Sequence, residues 1–574
     1  MFSEYVSDFL KQIFSRENIK FLAIIVWMMS SACILYFFDS DIPISISIKI
    51  FAVSLFFSLA WFLLIILLGW KRKWLFIVLS ILAILVIIPS LLVVSAYAIT
   101  GSILHRSDFR VVYTTNSSES IEFAFQFMRF KVVALVVSYI LPLFLLFKIK
   151  PTKLKISRAK KIVLLLLIVL SVVMLCKNNW RLISKRYHVI DFYRSYYDFQ
   201  QEQKFDQWQA IRKKLKFTDP VISELNIKQP KTFVLIIGES LSRHHMQLYG
   251  YPRETNPKLT AMKDKLFVFN DVVSPATTTI DVMQLVLTLA DHEHPEYYFE
   301  KRSIVNLFAD TGYDTVWLGN QNFRGNRYNI GHGIIASECK TAFELRGDND
   351  GIVIDALRKI LSSENNKDKI VFIHLRGSHT EYSKRYPKEY SYFDNKIIPI
   401  PYDKGFSNNQ KKIIDEYDNS VRYNDHIIAT IIELVKAQCE YSWVLYFSDH
   451  GEEVFEYRDM FGHQGMNFSK YMCDIPFILW VSDKYKAANR ELFAKLPGYL
   501  NRPYSTEDVI HTISSLSKLK YADFDPSRSI LSANFIVKER FVNNKPYKAV
   551  PDKKAEIERE YGKLIINIIK RSPL

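Results

Sequence analysis

The sequence predicts an α-helical transmembrane domain with five helices, followed by an α/β domain whose mainly parallel sheet is sandwiched by helices. Two observations in the 574-residue chain support this division. Residues 1–176 are dominated by long apolar stretches, whereas later residues mix charged, aromatic and apolar side chains as globular domains do. In that later part, strand-like runs alternate with helical patterns, which is typical of a parallel sheet covered on both faces.

Five segments of the first part approach or reach the roughly 20 apolar residues that a membrane-spanning helix needs. They are Phe21–Phe38, Ile50–Trp70, Trp74–Thr100, Val132–Ile149 and Ile162–Cys176. Lysine and arginine favour the cytoplasmic side of a membrane, and they crowd into the loops Lys71–Lys73 and Lys148–Lys161. We therefore expect a permanently anchored, multi-pass protein whose N-terminus is cytoplasmic and whose residues after the fifth helix lie outside.

Basic and aromatic side chains interleave in residues 177–230, as they do at the level of lipid headgroups, so this stretch is predicted to be a linker of interfacial helices. Residues 231–574 form the predicted exported domain. The net charge of +16 does not indicate nucleic acid, because part of the excess lies in cytoplasmic loops and an exported domain meets anionic lipid or glycan.

An outward loop between the third and fourth helices carries Asn116 and Glu119 ahead of an aromatic run. The loop could cover a lipid-facing site, or it could be an ordinary amphipathic helix at the membrane–water interface. Three cysteines, Cys339, Cys439 and Cys473, lie in the exported domain and allow at most one disulfide. Because no Cys-x-x-Cys pair is present, thiolate zinc and redox chemistry are not expected.

The exported domain contains five predicted strands and four predicted helices. The strands are Thr232–Ile237, Thr315–Leu318, Lys369–His374, Val444–Phe447 and Phe477–Val481. The helices are Ile280–Leu289, Ile304–Ala309, Ile352–Leu361 and Ser420–Lys436.

Polar side chains follow three of these strands. Glu239 follows the first strand, His379 follows the third, and Asp449 and His450 follow the fourth. Open α/β sheets bind ligands outside the carboxyl ends of their strands, and carboxylates with imidazoles are the ligands of a catalytic zinc that keeps one position open. Manganese and magnesium accept similar ligands, and Asp449–His450 could instead be a plain capped turn.

The stretch Ser274–Ile280 places threonines just before a predicted helix, where amide groups and the helix dipole favour negative charge. A threonine there could be a nucleophile if a metal lowers the pKa of its hydroxyl. The alternative is an ordinary N-cap.

Six motifs follow one another along the chain: Gly238-Glu239-Ser240, Tyr249–Pro257, Thr277–Thr279, Gly377-Ser378-His379 with Arg385-Tyr386-Pro387, Ser448–Glu452 and Gly462–Gly465. In type and order they resemble those of the membrane-bound phosphoethanolamine transferases that modify lipopolysaccharide, and the resemblance covers essentially the whole chain.

The resemblance implies an exported domain of alkaline-phosphatase type with one tight Zn²⁺ site. A second ion could bind during turnover, and Mn²⁺ is less expected than Zn²⁺. The implied zinc ligands are Glu239, Asp449, His450 and the nucleophilic threonine, for which Thr279 is preferred and Thr278 is the alternative. The catalytic set implied is Thr279, His379 and His463, the two histidines contacting the phosphoryl headgroup or a second zinc. Without the resemblance, a single histidine at either position is more often a surface or packing residue than a catalytic one.

Substrate contacts are predicted for five residues: Asn320, Gln321, Arg324, Glu119 and Asn116. In the lipid A branch a lysine stands where this chain has Arg324 and Arg327, and a cysteine stands where it has Pro275. The motifs, including Asn320-Gln321 and Phe447–Val454, resemble more closely the branch that modifies heptose of the inner core. The Glu452–Glu453 pair is expected to be solvated or to support the ligands.

The activity that the resemblance implies is transfer of phosphoethanolamine from phosphatidylethanolamine to lipopolysaccharide, with core heptose favoured over lipid A, through a phospho-threonine intermediate. The implied protein is a monomer in the bacterial inner membrane with a periplasmic catalytic domain and no nucleic-acid partner. Two alternatives remain open. One is a phosphoglycerol transferase or another hydrolase of the same superfamily, and the other is a non-catalytic envelope scaffold that binds lipopolysaccharide.

Overall fold

The structure is a computed structural model. It describes residues 2–37, 44–68, 77, 80, 81, 83–100, 130–149, 156–180, 182, 183, 187–202, 205–321, 332–363, 367–394, 405–465 and 467–552. The predicted substrate contacts Asn116, Glu119 and Arg324 lie outside the described residues.

The chain forms two compact units, Met1–Gln203 and Lys204–Leu574. The first unit contains seven described α-helices, and a π-helical turn, Ala83–Ile87, directly precedes the fourth of them. They are α1 Phe2–Ile13, α2 Arg16–Ile34, α3 Ile44–Leu68, α4 Ile88–Thr100, α5 Phe130–Lys148, α6 Arg158–Asn178 and α7 His188–Glu202.

Three helical stretches among the described residues are long and apolar enough to cross a membrane: Arg16–Phe37, Ile44–Leu67 and Arg158–Asn178. They coincide with the first, second and fifth predicted spans. A shorter apolar helix, Ile84–Tyr97, overlaps the third predicted span, and the 19-residue α5, with Pro142 inside it, overlaps the fourth. The structure therefore supports a helical membrane region, and the number five stays a prediction.

The second unit contains eleven described α-helices. They are α8 Phe205–Lys214, α9 Pro257–Ala261, α10 Thr279–Val286, α11 Tyr297–Glu300, α12 Ile304–Asp310, α13 His332–Ala336, α14 Gly351–Leu361, α15 Asn408–Gln438, α16 Asp483–Ala488, α17 Arg490–Lys495 and α18 Val509–Leu516.

Fifteen strands are described in the same unit. They are β1 Ile222–Ser223, β2 Lys231–Gly238, β3 Leu266–Phe269, β4 Val272–Val273, β5 Asp314–Gly319, β6 Thr341–Glu344, β7 Lys369–His374, β8 Tyr441–Ser448, β9 Glu453–Val454, β10 Phe461–Gly462, β11 Phe477–Val481, β12 Tyr504–Ser505, β13 Leu519–Lys520, β14 Phe541–Val542 and β15 Lys545–Pro546.

Seven of these strands form the main sheet, in the order β3-β11-β8-β2-β7-β5-β6. Strands β8, β2, β7, β5 and β6 are parallel to one another. Strand β11 is antiparallel to both β8 and β3. The sheet is mainly parallel, as predicted, and it also contains β3 and β6, two four-residue strands that the sequence analysis missed.

Strand β2 lies at the centre of the sheet, and all eight of its residues are buried. On one face, Phe233 stacks on Trp443 of β8, with the ring centroids 4.7 Å apart. Helices α14 and α15 pack against each other and contact β5 and β8 respectively. A strand covered on both faces is apolar throughout, which explains the continuous run in β2.

Two helix boundaries differ from the prediction by three residues or more. Helix α15 begins at Asn408 rather than Ser420, because Ser407 and Gln410 form a capping box that starts the helix twelve residues earlier. Helix α10 ends at Val286, three residues before the predicted end. The cysteines are all free, so the structure contains no disulfide among Cys339, Cys439 and Cys473.

Part of the predicted linker packs on the second unit. Helix α8 belongs to that unit, and the Arg212 side chain pairs with Glu338 at 2.7 Å. Strand β1 also pairs with β13 in an antiparallel arrangement. The interfacial position of residues 177–230 stays a prediction.

Candidate metal centre

The centre lies at the carboxyl ends of two neighbouring strands. Glu239 follows β2, and Asp449 and His450 follow β8, whose last residue, Ser448, is the register partner of Gly238. The Asp449 amide donates to the carbonyl of Gly238 at 3.0 Å. All three side chains are fully buried. The parallel pairing of two buried strands therefore brings together residues that are 210 positions apart in the chain.

The side-chain atoms of these residues lie close together. His450 Nε2 lies 3.3 Å from Glu239 Oε1 and 3.5 Å from Asp449 Oδ2. One potential ligand atom from each of the three residues falls within 4.8 Å of the others. Separations of this size are those of groups that share one cation.

Thr279 completes the cluster from the first residue of α10. Its hydroxyl donates to Glu239 Oε2 at 3.0 Å and lies 3.4 Å from His450 Nε2. Thr278 is the N-cap residue of the helix, and its hydroxyl donates to Asp281 Oδ2 at 2.7 Å. Of the two threonines that the sequence left open, only Thr279 has its hydroxyl against the carboxylate of Glu239.

Several contacts hold Glu239 in place. Gln321 Nε2 donates to Glu239 Oε2 at 2.8 Å and to the carbonyl of Leu375 at 3.0 Å, which links the carboxylate to the end of β7. Ser240 Oγ donates to Glu239 Oε1 at 2.8 Å. The Ser240 backbone is in the left-handed region, with φ of 57°. Gly377 also has a positive φ, 52°, and a Cβ at this position would lie 2.6 Å from the Glu239 carbonyl oxygen.

The donor atoms of Asp449 and His450 fit a cation. Asp449 Oδ1 accepts from the backbone of Ser240 and His450 at 3.2 and 2.7 Å, whereas buried Oδ2 has no hydrogen-bond partner among the described residues. His450 Nδ1 lies 2.9 Å from the Gly451 carbonyl oxygen. Because a carbonyl only accepts, Nδ1 carries a proton, which leaves Nε2 as the ring atom that would bind an ion, as in metal-binding histidines.

The pKa values of the cluster also favour a bound cation. Burial, followed by the charge of Glu239, raises the pKa of the Asp449 carboxyl well above its usual range. Burial lowers the pKa of His450, but the charge of Asp449 and the hydrogen bond to Glu239 outweigh it and raise that pKa to about 10. The two buried carboxyl groups can therefore be ionised together only if more positive charge is present than the His450 ring provides, and a divalent ion would supply it.

A second set of potential ligands adjoins the first. His463 Nδ1 lies 2.8 Å from Glu452 Oε2, and the His463 and His450 ring centroids are 4.0 Å apart. Glu452 also accepts a hydrogen bond from the Tyr382 hydroxyl at 2.7 Å. Ligand atoms of His450, Glu452 and His463 lie within 4.8 Å of one another. Glu452 and Glu453 are both fully buried, so the pair is not solvated, and Glu452 instead contacts His463, in keeping with the other expected role.

Two further histidines lie at this edge of the sheet. His379 is half-buried. Burial acts to raise the pKa of Glu239, but the hydrogen bond with His450 and the charges of His450 and His379 lower it well below its usual range. His374, which the sequence analysis placed inside a strand and did not single out, lies with Nε2 4.0 Å from Glu239 Oε2. Burial and the charge of His332 lower the pKa of His374 to about 3, so its ring is neutral at ordinary pH.

Asn320, a predicted substrate contact, is buried and makes its hydrogen bonds with the loop that precedes α14. Its Nδ2 donates to Asp350 Oδ1 at 2.9 Å, and its Oδ1 accepts from the Gly347 amide at 2.8 Å. Gln321, another predicted substrate contact, instead orients Glu239. The substrate roles of both residues stay predictions.

Comparison with known proteins supports the resemblance seen in the motifs. The sulfatase family matches residues 231–519. The phosphoethanolamine transferase CptA of Salmonella typhimurium is 30% identical over 491 residues, which cover 80% of this chain and 83% of CptA.

Two solved structures are similar as well. The C-terminal periplasmic domain of EptC from Escherichia coli, in complex with Zn, is 32% identical and aligns with a TM-score of 0.55, covering 59% of this chain and 98% of that domain. The integral membrane protein lipooligosaccharide phosphoethanolamine transferase A from Neisseria meningitidis has a TM-score of 0.64 over 89% of this chain and 98% of its own. At 18% identity, this second match shows a shared fold. The chain thus belongs to the sulfatase family and, within it, to the membrane-bound phosphoethanolamine transferases.

Proposed function

We propose that this protein transfers phosphoethanolamine from phosphatidylethanolamine to lipopolysaccharide, and that the acceptor is heptose of the core rather than lipid A. The observation that carries the proposal is the Thr279 hydroxyl, held 3.0 Å from Glu239 and 3.4 Å from His450 at the sheet edge. Relatives that are 29–30% identical over most of the chain are named phosphoethanolamine transferases, which supports phosphoethanolamine as the transferred group. The preference for heptose comes from the departures from the lipid A branch at Pro275 and Arg324 and from the stretches Asn320-Gln321 and Phe447–Val454, which are closer to the heptose branch.

The residues that would hold a zinc ion are Glu239, Asp449, His450 and Thr279. The unpartnered Oδ2 of Asp449 and the orientation of the His450 ring fit such an ion, and the donor set of oxygens and nitrogen without sulfur suits catalytic zinc. A bound zinc would lower the pKa of the Thr279 hydroxyl and neutralise charge on phosphoryl oxygens. The Zn complex of the EptC periplasmic domain also supports this choice of metal.

Two in-line displacements at phosphorus account for the transfer. In the first, Thr279 Oγ1 bonds to phosphorus as its proton passes to the Glu239 carboxylate, the bond from phosphorus to the diacylglycerol oxygen breaks, and the departing oxygen takes up that proton. In the second, a sugar hydroxyl gives up its proton as it bonds to phosphorus, the bond to Thr279 Oγ1 breaks, and the threonine oxygen takes up that proton. Gln321 and Ser240, by donating to Glu239, keep its carboxylate facing the threonine throughout.

His379 and His463 are proposed to bind phosphoryl oxygens or to move protons. Glu452 holds His463 through Nδ1 and accepts from Tyr382, so the other ring nitrogen of His463 is free to face the reacting group or a second ion. The adjoining set of His450, Glu452 and His463 supports a second metal position during turnover.

The proposed location is the bacterial inner membrane, with several membrane crossings and the catalytic domain in the periplasm. Three described helices are long and apolar enough to span, and the relative's similar domain is named periplasmic. A membrane anchor suits a reaction whose donor and acceptor are both lipids. We propose that the enzyme acts as a monomer.

The test is mass spectrometry of lipopolysaccharide from cells with and without this protein. Loss of one phosphoethanolamine, located in the core after mild acid cleavage, is the expected result. A loss located in lipid A would correct the acceptor, and phosphoglycerol trapped on Thr279 would favour the related transferase. An unchanged lipopolysaccharide, together with a purified protein free of divalent metal, would support the scaffold instead.

A further inference from the structure

A hairpin near the end of the described chain contacts the loop that carries Thr279. Strands β14 and β15 pair with Val542 opposite Lys545, which leaves Asn543 and Asn544 as a two-residue turn. Both turn residues have positive φ, 48° and 62°, as a type I′ turn requires, and asparagine is favoured at such positions. The hairpin lies beyond residues 231–519 that the sulfatase family matches.

Asn543 uses its backbone and its side chain to bind two loops of the centre. Its amide N–H donates to the Pro275 carbonyl at 2.9 Å. Its side-chain Nδ2 donates to Thr277 Oγ1 at 2.7 Å and to the Gly465 carbonyl at 2.6 Å, while its Oδ1 accepts from the Thr277 amide at 3.3 Å. One side chain therefore joins the loop before Thr279 to the loop after His463.

Thr277 adds a direct hydrogen bond between the same two loops. Its hydroxyl donates to the Gln464 carbonyl at 2.6 Å, and its side chain is fully buried. Thr277 is two residues before the proposed nucleophile, and Gln464 is one residue after His463. The distance between Thr279 and His463 therefore depends on hydrogen bonds that converge on Thr277 and Asn543.

The hairpin is itself held firmly. Val542 is buried in an apolar cluster with Phe468, Met472 and Cys473. Arg540, just before β14, pairs with Asp271 at 2.7 Å. A turn anchored in this way can restrain the loops that it contacts, because its own movement would expose buried apolar surface.

We propose that Asn543 is a positioning residue that holds the nucleophile loop and the His463 loop in one fixed arrangement. This inference rests on the proposed function, since it takes Thr279 as the nucleophile. Loss of the Asn543 side chain leaves every proposed ligand in the chain but lets the two loops move independently. A displacement of about 1 Å at a reacting group can lower a rate roughly 100-fold.

The experiment compares Asn543→Gly with Asn544→Gly in the purified full-length protein. Both positions have left-handed backbone, which glycine accepts without strain, but only the Asn543 side chain contacts the two loops. With phosphatidylethanolamine vesicles as donor, Asn543→Gly is expected to lower kcat for diacylglycerol release roughly 10- to 100-fold with KM and zinc content unchanged. Asn544→Gly should match the unchanged protein.

Hydrogen exchange provides a readout that does not depend on activity. Amides of residues 277–279 and 463–465 should exchange faster together in Asn543→Gly and not in Asn544→Gly, because opening of a loop that has lost its hydrogen bonds costs less. Equal rates and equal exchange in the two variants would overturn the inference. If the unchanged protein releases no diacylglycerol, the proposed function fails, and the exchange result still decides whether Asn543 joins the loops.

Discussion

The Thr279 hydroxyl donates a 3.0 Å hydrogen bond to Glu239, although the two residues are 40 positions apart and belong to different elements. Glu239 directly follows a central strand, and Thr279 begins a helix. A hydroxyl at a helix N-terminus beside a buried carboxylate and an imidazole is suited to become a nucleophile once a metal ion is bound.

Replacing Thr279 by alanine should lower the transfer rate by a factor on the order of 10³ or more, because the group that accepts phosphorus is removed. The matched control is Thr278→Ala, whose lost hydroxyl contacts Asp281 rather than the centre. Transfer of radiolabelled headgroup from phosphatidylethanolamine measures both variants. Comparable activity in the two would contradict the assignment of Thr279.

Zinc should stabilise the protein through Asp449. At a free concentration 100 times the Kd, a ligand that binds only the folded state adds about 2.7 kcal/mol to the free energy of unfolding. Asp449→Asn should abolish that increase, while the metal-free variant stays within about 1 kcal/mol of the metal-free parent, since burial already favours the uncharged form of Asp449.

Thermal unfolding with and without added zinc, after treatment with a chelator, checks this expectation. Glu453→Gln is the control, because Glu453 is buried near the centre but pairs with Arg458. A zinc-dependent rise in Tm that persists in Asp449→Asn would show that the ion binds elsewhere.

Stability should also depend on the protonation of His245. This buried ring contacts Asp418 at 2.6 Å and Glu456 at 2.7 Å. Burial acts to lower the pKa of His245, but the two carboxylates raise it from 6.5 to about 9 in the folded protein. A raised pKa in the folded state means that protonation favours folding below pH 6.5 and that this contribution disappears as the pH rises through 9.

The free energy of unfolding should therefore fall by roughly 3 kcal/mol across this pH interval. Urea unfolding at several pH values measures the decrease. His245→Gln cannot take up the proton, so its stability, although lower, should vary much less in the same interval. An equal slope in both proteins would assign the pH dependence to another group.

Gly451→Ala should destabilise the protein by about 1–3 kcal/mol, because a Cβ would lie 2.3 Å from the Tyr471 carbonyl oxygen and backbone must move to admit it. Since the Gly451 carbonyl accepts a hydrogen bond from His450 Nδ1, metal affinity should fall as well. Gly498→Ala, where a Cβ meets nothing within 4 Å, serves as the control. Chemical denaturation and zinc titration compare the two, and equal behaviour would refute the close approach at Gly451.

Much of the catalytic fold could be predicted from local patterns. Strands β7 and β11 were predicted with the bounds that the structure has, because both are apolar runs between turn residues. Strands β3 and β6 were missed because four residues give too short a pattern. The early start of α15 was missed because its first turns are polar and exposed, and only the Ser407–Gln410 capping box marks the beginning of the helix.

A helical membrane region, the alternation of strands and helices, and the chemical types of the candidate ligands could be inferred from the sequence, because these depend on composition and on residues near one another in the chain. Three relationships became visible only in the folded chain: Thr279 rather than Thr278 has its hydroxyl against Glu239, Gln321 orients this carboxylate, and Asn543 contacts the loop that carries Thr279. These relationships depend on which strand ends become neighbours in the sheet and on the direction in which a helix leaves its loop. Such contacts form between distant residues through packing, and no local pattern records them.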